Sequence, residues 1–95
     1  MPDVMQMALD KFGVDAQVDK TIEEMAELTK ALLKYRLNPS PDNRVKVIEE
    51  LVDIDIMLEQ VQKVFVNCDL EGITGYNKLY HDKYVHLYEL VEDEQ

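Results

Sequence analysis

The chain has 95 residues, with 20 acidic against 10 basic side chains and a formal net charge of -10. That length permits one domain, spanning residues 1–95, and a hydrophobic fraction of 46% is too high for a disordered acidic tail. The acid excess repels phosphate polymers and anionic lipid surfaces, which argues against a nucleic acid polymer or a membrane as a direct partner. Cys68 is the single cysteine, so neither an internal disulfide nor a multi-cysteine zinc site is available. No apolar run is long enough for a signal core or a membrane span, and a cytoplasmic protein is expected.

Three prolines and three glycines leave long uninterrupted stretches, which favours an all-α fold over a many-stranded one. A short helix is expected over residues 3–12, with Asp3 as N-cap and Gly13 just past its end. A second helix, 15–37, opens at Asp15 and stops at Asn38-Pro39-Ser40-Pro41. Ser40 as N-cap and Pro41 at the first helical position restart the chain, because proline needs no N–H there. The third helix is expected over 41–66, and Asn67, Cys68 and Asp69 break it. The fourth covers 70–91, although Gly72 and Gly75 weaken its first turns. Its Leu70, Ile73, Tyr80, Tyr84, Leu87 and Val91 recur at heptad-like spacing. The end, Glu92 to Gln95, is expected to be solvated. No internal repeat is evident.

The second helix carries two stripes. Ile22, Met25, Ala26, Thr29, Leu32 and Leu33 follow the i, i+3, i+4, i+7 rule and are expected to form the core face. Gln17, Lys20, Glu24, Glu27, Ala31 and Lys34 form a polar stripe flanked by Leu28 and Tyr35. The third helix is apolar nearly all round, through residues such as Val45, Ile48, Leu51, Val52, Ile56 and Leu58. In so small a chain such a helix needs a second subunit to bury it. One mostly polar stripe still runs down it: Asn43, Lys46, Glu50, Asp53, Met57 and Gln60.

The carboxylates fall in two matching clusters, Glu23-Glu24-Met25-Ala26-Glu27 and Glu49-Glu50-Leu51-Val52-Asp53. Residues three apart on a helix point within roughly 60° of one another. Glu24 therefore projects with Glu27, and Glu50 with Asp53. A short proline-containing turn joins the two helices, which makes them antiparallel neighbours. If the polar stripes face each other, four carboxylates converge, and without a cation they repel. A hard oxygen-seeking ion, Mg²⁺ or Mn²⁺, relieves that repulsion. Acidic pairs at this spacing also occur on ordinary solvated helix faces. Glu50 and Asp53 differ in standing inside Val47-Ile48 and Leu51-Val52-Ile54.

Glu23-Glu24-Met25-Ala26-Glu27-Leu28 followed by Glu49-Glu50-Leu51-Val52-Asp53-Ile54 resembles the signature of the MazG-like, all-α nucleoside triphosphate pyrophosphohydrolases. That signature is Glu-Glu-x-x-Glu on one helix and Glu-x-x-Asp on the next, across a variable hairpin. Gln17, Met57-Leu58-Glu59-Gln60 and Lys83 look like further family features, so the similarity runs from about Gln17 to Leu87. The resemblance implies an antiparallel helical bundle assembled as a homodimer or homotetramer. It implies Mg²⁺-dependent cleavage of an NTP or dNTP to the monophosphate and pyrophosphate. Glu24, Glu27, Glu50 and Asp53 would be the metal ligands, and Glu23 would have an auxiliary catalytic role. Gln17, Met57 and Lys83 would be substrate-binding residues, and Lys34, which shares the carboxylate stripe of the second helix, is a further candidate to touch a phosphate. Magnesium would also let a strongly anionic protein hold an anionic substrate.

Other readings carry less. Lys34 and Lys83 also suit solvated surfaces, and Met57, Tyr76 and Tyr80 also suit core packing. A di-iron bundle needs Glu-x-x-His pairs, and neither His81 nor His86 has a glutamate three residues before it. An acidic helical oligomerisation or regulatory module explains the charge and the apolar helices. It leaves unexplained the carboxylates inside the apolar run of the third helix. Asp55 faces away from the other acids, and a buried charge there would need a partner.

Overall fold

The computed structural model describes residues 2–93, which form four helices and no strand: α1 (Val4–Phe12), α2 (Val14–Leu37), α3 (Pro41–Phe65) and α4 (Leu70–Asp93). Each expected helix is present, with ends within two residues of the expected bounds. The solvated end expected from the sequence includes Glu94 and Gln95, which lie outside the described residues. No helix is long and apolar enough to cross a membrane. The chain divides into two compact units, Met1–Lys63 and Val64–Gln95.

In the first unit the helix boundaries have local causes. The Asp3 side chain accepts a hydrogen bond from the Gln6 N–H at 3.2 Å and caps α1. Gly13, at φ 91, is the one positive-φ residue among those described, and its N–H donates to the Leu9 carbonyl. Ser40 Oγ accepts from the Asn43 N–H at 3.1 Å, so the Ser40-Pro41 restart operates as expected. Lys63, near the end of α3, pairs with Asp3 and ties it to the start of α1.

The α2–α3 pair is an antiparallel hairpin. Gln17 Nε2 donates to Gln60 Oε1 at 2.7 Å, and Glu24 meets Asp53 further along. Its seam follows a heptad rhythm on both helices. On α2 the shielded positions include Gln17, Thr21, Glu24, Leu28 and Ala31; on α3 they include Asn43, Val47, Glu50, Ile54, Met57, Gln60 and Val61. Thr21 and Ala31 are small and buried, at 5% and 3% exposure.

The expected core stripe of α2 is a correction. Ile22 is 54% exposed and Leu33 55% exposed, and Met25, Ala26, Thr29 and Leu32 are exposed as well. The hairpin closes on the other, polar stripe, and the apolar stripe is turned outward. Only Leu9, Ala31, Ile54 and Met57 are buried apolar residues among those described. Asp55 is exposed, so the partner expected for a buried charge there is not required.

In the second unit, Asp69 is the N-cap of α4: its Oδ1 accepts from the Gly72 N–H at 2.7 Å. A Cβ on Gly72 would stand 2.4 Å from the Val66 carbonyl oxygen, so this tight turn requires glycine. Helix α4 has no buried residue.

Candidate functional site

Three of the four expected ligands come together in the hairpin seam. One carboxylate oxygen from each of Glu24, Glu50 and Asp53 lies within 4.8 Å of the other two. Glu24 and Glu50 occupy seam positions, where a helical bundle ordinarily places apolar side chains. Glu50 is 5% exposed. Its Oε1 takes an ion pair from Lys46 Nζ at 3.0 Å, while its Oε2 is buried with no hydrogen-bond partner among the described residues. A buried carboxylate oxygen left unpaired carries a desolvation cost, and a coordinated cation would relieve it.

Glu27 is not in this group. Its carboxylate pairs with Lys30 at 3.3 Å, both side chains being exposed. The seam passes through Thr21 and Leu28 rather than Lys20 and Glu27. Glu23 is also outside the group, with an exposed side chain 3.8 Å from Lys20.

The expectation of no internal repeat is corrected here: a nine-residue repeat underlies the arrangement. Lys20-Thr21-Ile22-Glu23-Glu24-Met25-Ala26-Glu27-Leu28 matches Lys46-Val47-Ile48-Glu49-Glu50-Leu51-Val52-Asp53-Ile54. In the antiparallel hairpin the two copies stand around a local pseudo-dyad, so Glu24 corresponds to Glu50 and Glu27 to Asp53. The ion pairs repeat as well: Lys20 Nζ lies 3.1 Å from Glu24 Oε1, as Lys46 Nζ lies 3.0 Å from Glu50 Oε1. The symmetry breaks at Lys30, whose counterpart on α3 is Ile56. Lys30 holds Glu27 away, and Asp53 has no such restraint.

Lys20 and Lys46 are the residues that sequence reasoning missed as part of the site. The signal was the repeat itself, Lys-x-Ile-Glu-Glu in both helices. The carboxylates raise both lysines above the ordinary value of 10.5, Lys20 through its hydrogen bond to Glu24 and Lys46 through its bond to Glu50. Asp53 adds to the field at Lys20, and Glu27 to that at Lys46. Both lysines are therefore protonated throughout the physiological range and partly neutralise the cluster.

Two open cavities flank it. On the Lys46 side, a space of about 410 Å³ is lined by Glu27, Lys30, Ala31, Leu33, Lys34, Leu37 and Lys46. On the Lys20 side, about 280 Å³ is lined by Lys20, Glu24, Asp53, Ile56 and Met57. Lys34 borders the first cavity and Met57 the second, beside Glu24 and Asp53. Gln17 lies two turns from Glu24 with its amide committed to Gln60. Lys83 is exposed on α4, in the second unit.

Together these features define an all-helical chain with an acidic group built into the seam of a helical hairpin and bracketed by lysines. No protein-family model, no curated protein and no solved structure matches the chain.

Proposed function

We propose that the chain is a Mg²⁺-dependent nucleoside triphosphate pyrophosphohydrolase of the MazG-like all-α class, working as a homodimer or homotetramer. The observation that carries this reading is Glu50. A carboxylate placed in a helical seam with one oxygen unpartnered, beside Glu24 and Asp53, is costly unless a cation completes it. Three carboxylate oxygens suit a hard divalent ion, with Mn²⁺ as the second candidate. Glu24, Glu50 and Asp53 would hold it, and Glu27 could join them by leaving Lys30. The chemistry supplied by such an ion is neutralisation of the triphosphate, polarisation of a phosphoryl oxygen and a more acidic water.

The chain's own residues supply the rest. Lys30, Lys34 and Lys46 border one cavity and present ammonium groups to phosphate oxygens. Ile56 and Met57 border the other and offer an apolar wall to a nucleobase. Glu23, exposed beside Lys20, has a carboxylate able to orient a water and take its proton. Attack of that water at phosphorus breaks one anhydride bond, leaving a nucleoside monophosphate and pyrophosphate.

An acidic oligomerisation module would account equally well for the outward apolar stripes. It gives no reason for a charge buried at Glu50, where an apolar side chain would stabilise the hairpin more. The test is pyrophosphate release from a panel of NTPs and dNTPs with Mg²⁺ or Mn²⁺ present. Release that depends on the metal supports the reading, and no release with any substrate refutes it.

A further inference from the structure

The heptad spacing of the last helix has no part in the catalytic reading, and it carries its own consequence. Helix α4 runs for 24 residues without a buried side chain. Set in heptads, Leu70, Asn77, Tyr84 and Val91 take position a, and Ile73, Tyr80 and Leu87 take position d. Among the described residues of α4, every carboxylate (Glu71, Asp82, Glu89, Glu92 and Asp93) falls at b, c or f. In a chain with a net charge of -10, this leaves one helix face, over three heptads, with no negative charge. Such a segregation lets two copies approach along that face while their acids stay in solvent.

We infer that α4 pairs with α4 of a second copy of this chain as a parallel two-stranded coiled coil. Asn77 decides both the occupant and the direction. A lone asparagine at position a is satisfied when it meets its own counterpart across the axis, amide to amide. In the antiparallel arrangement it would lie opposite Tyr80 or Leu87 of the d row, neither of which offers a matching amide. Tyr80 and Tyr84 stack on one helix with ring centroids 6.5 Å apart, and form a continuous aromatic step in the middle of the seam. Their exposures of 61% and 62% leave most of each ring to be covered, with the hydroxyls able to reach the rim.

The area is sufficient. Six large seam side chains per copy, at roughly 100 Å² each, bring the pair to the size at which specific interfaces begin. The flanking e and g positions, including Tyr76, Tyr88 and Leu90, add further apolar area. The pairing uses none of the hairpin carboxylates and stands whether or not the chain is an enzyme.

Cysteine cross-linking of the full chain tests it. Cys68 is exposed and is first removed as Cys68→Ser. In that background, Ile73→Cys and Leu87→Cys place a thiol at each end of the d row, and Glu89→Cys places one at f. Mild oxidation should give covalent dimers with both d-position variants and little with Glu89→Cys. Adding Tyr84→Glu to the Leu87→Cys chain should cut the cross-linked fraction roughly tenfold, with helicity by circular dichroism unchanged. Cross-linking at only one of the two d positions, at neither, or equally at Glu89→Cys overturns the parallel pairing. Pyrophosphate release is read separately, so failure of this pairing and failure of the catalytic reading are distinguishable.

Discussion

Lys46 grips one oxygen of Glu50 at 3.0 Å and leaves the other buried and unpartnered. The pair is lopsided, because the lysine is largely exposed and the glutamate nearly wholly enclosed. A solvated ammonium can leave its partner at little cost, whereas the carboxylate cannot reach water without opening the hairpin. Half of the buried charge is thus held by a removable cation and half by nothing.

Glu50→Gln should separate function from fold. The amide keeps the shape of the side chain and removes the buried charge. The melting temperature should stay the same or rise, and the far-ultraviolet circular dichroism should be unchanged. Pyrophosphate release should fall by at least about 100-fold, since a ligand to the proposed cation is lost. A variant that melts normally and still turns over at the parent rate would remove Glu50 from the machinery.

Lys20 and Lys46 compete with any cation for the oxygens of Glu24 and Glu50. Replacing either with methionine keeps the aliphatic stem against the hairpin and removes the ammonium. Mn²⁺ affinity, followed by electron paramagnetic resonance, should tighten several-fold in each single variant. The metal-free variants should melt lower than the parent, because one carboxylate loses its counter-charge. Weaker Mn²⁺ binding in both would mean that the lysines support the ion rather than displace it.

Much of this fold can be read from caps and breaks. Asp3, Gly13 and Ser40 sit where the helices begin and end, because each boundary depends on one local hydrogen bond or one backbone angle. The faces were harder. On α2 the apolar stripe through Ile22 and Leu33 and the polar stripe through Glu24 and Ala31 both follow helical spacing. Hydrophobicity alone favours the first stripe. The hairpin closes on the second, burying Thr21 and Ala31 and carrying the gripped carboxylate of Glu50 inside. Glu27 separates from Glu24 for a reason that no spacing rule contains, an ion pair with Lys30. The role of Lys20 and Lys46 was visible only in the correspondence between two helices, not within either one.

Two glycines three residues apart in α4 should respond with opposite sign. At Gly72 an added methyl would stand 2.4 Å from a backbone oxygen of Val66, in a turn closed by Asp69. Backbone cannot yield as a flexible side chain does, so Gly72→Ala should open the turn and lower protection of the first α4 amides in hydrogen exchange. At Gly75 nothing lies within 4 Å. Gly75→Ala should stabilise the helix by about 1 kcal/mol, seen as stronger protection of the same amides. Loss of protection in both variants would contradict the contrast between a crowded and an open position.

The start of the chain offers a pH test with a defined sign. The hydrogen bond from Lys63 holds the Asp3 carboxyl below its ordinary value of 3.8, and the Gln6 N–H lowers it further. A group depressed on folding contributes stability above its unfolded pKa and loses it as the pH falls through the folded value. Asp3→Asn keeps a good N-cap and removes the charge, so it isolates the ionic part. The parent should melt higher than Asp3→Asn at neutral pH, and the gap should hold down to about pH 4. Below that it should close as Asp3 takes up its proton. Lys63→Met should lower the melting temperature in the same way and flatten the same acid limb of the profile. A gap between parent and Asp3→Asn that persisted to pH 2 would show that something other than the Asp3–Lys63 charge pair separates the two chains.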